Sequence, residues 1–123
     1  EVCAFLDERA QAAVAAGVAP EKIWLDPGVG FGKHVTRHNL PLLAGLDRVA
    51  ALGFPVLLGA SRKSFIGALD GGAGPQARLG GSIAAALAGA AAGVSAVRVH
   101  DVRETVQALR VWSAIQDGRP QGS

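Results

Sequence analysis

Two spacings of apolar residues alternate along the chain. Short runs rich in Val, Ile and Leu, at 22–26, 54–60 and 95–100, read as strands covered on both faces. Around them apolar residues recur every three or four positions, as on one side of a helix. Over residues 1–16 this spacing places Val2, Phe5, Leu6, Arg9, Ala13 and Ala16 on one side, and Gly17 is suited to end the helix. Asn39 is a candidate N-cap for a second helix carrying Leu42, Leu43, Leu46, Val49 and Ala50, stopped by Gly53. Small residues at 82–92 predict a third, stopped by Gly93. Asp101 and Glu104 have the spacing of a capping box and open a fourth helix through Val106, Leu109, Trp112 and Ile115 to Gly118.

The resulting order is α-β-α-β-α-β-α. Strands joined by helical crossovers lie parallel. Part of a doubly wound sheet and part of a (β/α)8 barrel both fit this order. A complete barrel takes roughly 250 residues, about twice the 123 present. The chain is therefore expected to be a piece of something longer, as its opening at Glu1, inside a helix and without Met or a signal peptide, also suggests. One domain is expected over 1–123, with a frayed tail at 119–123. Three strands with open edges would invite pairing between chains and would bare inward side chains: Trp24, Val56 or Leu57, and Leu58, according to register.

Composition narrows the classes. Half of the residues are hydrophobic and 18% are charged, which excludes a disordered chain. Aromatics contribute only 5%, so the core must be built from Ala, Leu, Val and Ile. The Ala-rich stretch 83–92 is too short to span a bilayer. A net charge of +2, with Lys and Arg scattered, gives no footprint for nucleic acid. The single cysteine, Cys3, cannot form an internal disulfide, fits a reducing cytoplasm, and is expected to pack on a helix.

In both architectures ligands bind at the carboxyl ends of the strands. The first run ends in Asp26, followed by Pro27-Gly28-Val29-Gly30-Phe31-Gly32-Lys33. This is not a P-loop, because Pro27 replaces the first glycine and His34 follows Lys33. It is not a dinucleotide fingerprint either, because Lys33 replaces the third glycine. Asp26 is then either a site carboxylate or a turn residue ahead of Pro27. The second run leads into Ser61-Arg62-Lys63-Ser64, two cations and a hydroxyl ahead of a short segment, suited to an anion or an electron-rich ring; the alternative is a solvated basic loop. In the third, alternation puts Arg98 and His100 on one face and Val97 and Val99 on the other. An Arg and a His two residues apart can grip a phosphate group. The alternative is a structural ion pair, such as Arg98 with Asp26. His34 and His38 lack the intervening Glu of a zinc motif. Asp101 reads as an N-cap, and Trp112 as core or a subunit contact.

Together, Leu25-Asp26-Pro27-Gly28-Val29-Gly30-Phe31-Gly32-Lys33, Leu58-Gly59-Ala60-Ser61-Arg62-Lys63-Ser64 and Val97-Arg98-Val99-His100-Asp101-Val102 resemble the dihydropteroate synthases of folate biosynthesis, a pterin-binding family. Asn39-Leu40 and Gly81-Ser82 agree as well, while Gln76-Ala77, ahead of Arg78-Leu79, departs where that family often has an acidic residue. The resemblance implies the carboxyl-terminal portion of a (β/α)8 TIM barrel, a leading helix and about three βα units. It also implies a transferase that joins p-aminobenzoate to 6-hydroxymethyl-7,8-dihydropterin pyrophosphate, giving 7,8-dihydropteroate and releasing pyrophosphate.

Carried over by motif position, Asp26, Lys63 and Arg98 would bind the pterin, and Arg98 with His100 the pyrophosphate. Phe31, Arg62 and Ser64 would line the p-aminobenzoate pocket, while Lys63, Arg98 and His100 would serve catalysis. Magnesium is implied with its ligand upstream of Glu1 and no metal site within this segment, so the segment is expected to be inactive alone. The parent is expected to be a cytoplasmic homodimer, with neither nucleic acid nor membrane as partner. The alternatives are a methyltetrahydrofolate-binding methyltransferase-type barrel and a non-catalytic half-barrel used for binding.

Overall fold

The computed structural model describes residues 2–29 and 39–119. Phe31, Lys33, His34, His38 and all but Arg119 of the expected tail lie outside the described residues.

Helix α1, Val2–Ala15, is built from Ala and other good helix formers and ends where the backbone turns left-handed at Gly17, φ 103°. The Val18 N–H reaches back to the Ala13 carbonyl at 3.0 Å, closing the last turn. Leu6 and Ala10 face the core with Cys3, whereas Phe5, expected on that face, is exposed. The second expected helix is split into α2, Asn39–Ala44, and α3, Leu46–Ala50. Gly45 interrupts it, a residue of poor helix propensity, yet Leu42, Leu46 and Val49 all remain buried. Strand β1, Leu57–Leu58, leads to α4, Ser64–Leu69. Helix α5, Leu79–Ala92, starts before its expected Ser82 and stops at Gly93, φ 94°. Strand β2, Ala96–Val97, precedes α6, Val102–Asp117. On α6, Thr105 is buried and Leu109 and Trp112 are half-buried, whereas Val106 and Ile115, expected inward, are exposed.

The strands are shorter than expected but parallel. Leu57 pairs with Ala96 and Leu58 with Val97. The first run contributes a single parallel bridge, Leu25 to Val56, because Pro20 opens a 3-10 turn, Pro20–Lys22, that occupies its start. Three parallel segments therefore lie side by side. Helix α5 covers one face closely: a Cβ on Gly89 would stand 2.6 Å from Leu58 Cδ2. Leu58 thus belongs to the helix-covered side, with Val56 equally buried. Trp24, 52% exposed, lies outside this core. The architecture is a partial α/β barrel of parallel strands and covering helices. Among the described residues no helix is long and apolar enough to cross a membrane.

Candidate functional site

Leu58 faces α5, so its neighbour Gly59 faces the opposite side of the strands. Arg98 lies there. Its main-chain N–H continues the ladder to the Leu58 carbonyl at 2.8 Å. Its guanidinium crosses Gly59 so closely that a Cβ at that position would stand 2.7 Å from Nη2. Only a glycine leaves room for this approach. Arg98 is exposed and directed away from the helices, while Val97 and Val99 are half-buried.

Three residues past the paired Leu58 and Val97, the buried Ser61 (6% exposed) meets His100. Ser61 Oγ accepts from the His100 main-chain N–H at 3.2 Å and lies 3.0 Å from its Nδ1. A hydroxyl can do both, accepting one bond and sharing its own proton in the other. Sequence reasoning gave Ser61 no role of its own; its signal is its place directly after a strand, opposite a histidine.

Arg62 follows, and its guanidinium grips Asp101. Nε donates to Oδ2 at 3.2 Å and Nη2 to Oδ1 at 2.8 Å. The two ionisations reinforce each other. The hydrogen bond from Arg62 holds the Asp101 carboxyl below its ordinary range, and the same bond raises the Arg62 guanidinium, with partial burial opposing both shifts. Asp101 does occupy the N-cap position of α6, but its carboxylate makes no cap bond, so the expected capping box does not form. Thr105 Oγ1 donates to the Asp101 carbonyl at 2.7 Å, the same carbonyl that takes the Thr105 N–H at 3.0 Å, and so adds a second bond within the first turn. Lys63, half-buried, is the N-cap residue of α4, and Ser64 is that helix's first residue.

Asp26, at the end of the first segment, accepts from the Gly28 N–H at 2.8 Å. It is therefore a turn residue, although this one bond uses a fraction of a carboxylate's acceptor capacity. Among the described residues the ion pair is Arg62 with Asp101, not Arg98 with Asp26. The structure thus sets Arg98 over Gly59, His100 on Ser61 and Arg62 on Asp101, at the ends of adjacent parallel strands. Among the described residues no group of three or more His, Cys, Asp or Glu side chains could hold a metal ion.

The sequence profile of a family described as pterin binding enzyme matches residues 1–100. The chain is 50% identical over 118 residues to the dihydropteroate synthase of Neisseria meningitidis serogroup B, covering 94% of this chain and 41% of that protein. It is 47% identical over 114 residues to the dihydropteroate synthase of Escherichia coli K12, covering 93% and 40%. The fold superposes on a solved structure of Xanthomonas albilineans dihydropteroate synthase with a TM-score of 0.91 and 48% identity, covering 96% of this chain and 44% of that one. It matches Thermus thermophilus dihydropteroate synthase in complex with 4-aminobenzoate with a TM-score of 0.86 and 51% identity, covering 94% and 46%. The chain spans about two-fifths of the length of the curated relatives it matches.

Proposed function

The chain belongs to the pterin-binding enzyme family, and from that premise we propose that it forms the carboxyl-terminal part of a dihydropteroate synthase barrel. The parent would join p-aminobenzoate to 6-hydroxymethyl-7,8-dihydropterin pyrophosphate. The observation that carries this reading is the Arg98 guanidinium lying across Gly59, on the strand face away from α5. A planar cation bared at the strand ends suits both a flat heterocycle and the phosphate oxygens attached to it.

The chemistry asks little else. The amine nitrogen of p-aminobenzoate bonds to the pterin methylene carbon as the C–O bond to pyrophosphate breaks, and the amine proton leaves to solvent. Arg98, with His100 held by Ser61, stabilises charge growing on the leaving pyrophosphate. If the Ser61 hydroxyl proton goes to Nδ1, the His100 Nε2 carries the donor that meets a phosphate oxygen. Asp26 accepts from pterin N–H groups and Lys63 donates to the ring oxygen and nitrogen. Arg62 and Ser64, with Phe31 by its place in the motif alone, would take the aminobenzoate and position it for attack. Among the described residues no group of His, Cys, Asp or Glu side chains fits the magnesium ion that the resemblance implies.

The same reading makes the parent a cytoplasmic homodimer, its domain running over 1–123 here. An apolar groove of about 580 Å³ between α5 and α6, with Val111 and Ile115 exposed on its rim, supports the paired state.

Titration of the full-length protein tests the reading. The pterin pyrophosphate should bind, and the same pterin without pyrophosphate should bind much more weakly. Equal affinity for the two, or binding of methyltetrahydrofolate in their place, would overturn it.

A further inference from the structure

Arg62 has a left-handed backbone, φ 54°, alone among the described non-glycine residues. An L side chain resists this region, because its Cβ crowds the following carbonyl. The residue is held there from both ends of its own main chain. Its N–H donates to Ser82 Oγ at 2.8 Å, and its carbonyl accepts from Arg78 Nη1 at 2.9 Å. Arg78 is fixed in turn, with Nε donating to the Ala73 carbonyl at 2.8 Å. Ser82, only 3% exposed, closes the circuit by donating its hydroxyl proton to the Arg78 carbonyl at 2.8 Å.

The space for this arrangement is provided by Gly67 on α4. A Cβ there would stand 2.7 Å from Arg78 Nη2 and 2.6 Å from the Ala73 carbonyl. A guanidinium suits the place because its planar fork can bond two carbonyls at once, whereas a lysine ammonium has no such fixed geometry.

We propose that Arg78, together with Ser82, is a positioning residue that holds the Arg62 peptide left-handed and thereby aims the Arg62-Lys63-Ser64 turn at p-aminobenzoate. Neither side chain need touch substrate. Arg62 stands between Ser61, which holds His100, and Lys63, which opens α4. Releasing its peptide would let the backbone relax and swing the turn away from the aminobenzoate side. The inference rests on the function proposed above.

Kinetics of the full-length enzyme test it, expressed per mole of folded protein. Arg78→Met should raise KM for p-aminobenzoate by about tenfold, the scale of one hydrogen bond lost from its site, and KM for the pterin pyrophosphate by less. Arg78→Lys should recover part of the loss. Ser82→Ala should show the same split, and the double variant should lose less than the product of the two singles, because both contacts hold one peptide. A purely structural role would lower thermal stability and the folded fraction while leaving both KM values unchanged, and that outcome would overturn the proposal. Amide hydrogen exchange provides a readout independent of activity. The Arg62 N–H should exchange faster in Arg78→Met, and unchanged exchange would also overturn the clamp. A wild-type enzyme that makes no pteroate, with the exchange result intact, would refute the proposed function and leave the clamp standing.

Discussion

Arg62 and Asp101 stand opposite each other at a sequence separation of 39 residues, joined by two side-chain hydrogen bonds. The same separation relates Ser61 to His100. It is also the register of the sheet, since Leu57 pairs with Ala96 and Leu58 with Val97. The strand pairing therefore continues as side-chain pairing into the two loops beyond it. The paired strands are only two residues long, so these loop contacts extend a short ladder and hold the site's two halves together.

The first consequence concerns pH. Asp101 has its pKa depressed from an ordinary value of 3.8 by the Arg62 hydrogen bond. Its contribution to stability is therefore full above that unfolded value and is lost as pH falls through the lower folded one. Because the pair is partly solvated, the contribution is expected to be modest. Asp101→Asn should be less stable than wild type at neutral pH, and the gap should close in acid. Urea unfolding at a series of pH values measures it. A gap independent of pH would contradict the pairing.

Under the proposed function, Gly59 would act through the space it leaves for Arg98 rather than through its own conformation. In Gly59→Ala the new methyl group would claim the position now crossed by the Arg98 guanidinium. The side chain can swing aside, so the fold should survive with little change in melting temperature. Affinity for the pterin pyrophosphate should fall by about 1.5–3 kcal/mol, the scale of a hydrogen bond to a charged group. Calorimetric titration alongside a thermal melt separates the two effects.

Ser61→Ala should act on His100. It removes the acceptor of the His100 main-chain N–H and the partner of Nδ1 together, at a cost to stability of about 1–3 kcal/mol if the N–H is left unpaired. The His100 ring should become more mobile. NMR of the imidazole, in a chain carrying Ser61→Ala and compared with wild type, should show averaged ring signals. Identical spectra would contradict the role given to the hydroxyl.

Lys63→Ala should weaken binding of the pterin pyrophosphate by about 1.5–3 kcal/mol through loss of a charged donor. Unchanged affinity in a titration would remove Lys63 from the pterin site.

How much of this was legible in the sequence depends on whether the deciding partner is near or far along the chain. The ends of α1 and α5 could be read because Gly17 and Gly93 act locally, through φ alone. The break at Gly45 was less visible, because the apolar spacing of Leu42, Leu46 and Val49 runs through it unbroken. Alternation correctly put Arg98 opposite Val97 in facing, and Gly59 is what lets its guanidinium lie flat there. Local spacing makes Asp101 a capping residue, whereas a partner 39 residues away claims its carboxylate. The Arg78–Ser82 clamp on Arg62 is equally hidden, since nothing in a serine and an arginine four residues apart announces a left-handed peptide elsewhere.

The most direct test of the account is turnover by the full-length protein given p-aminobenzoate and 6-hydroxymethyl-7,8-dihydropterin pyrophosphate, with dihydropteroate and pyrophosphate measured together. Wild type should form the two products in equal amounts, and Arg98→Ala should abolish most of that rate while remaining folded. Full turnover in Arg98→Ala, or no pteroate from folded wild type, would contradict it.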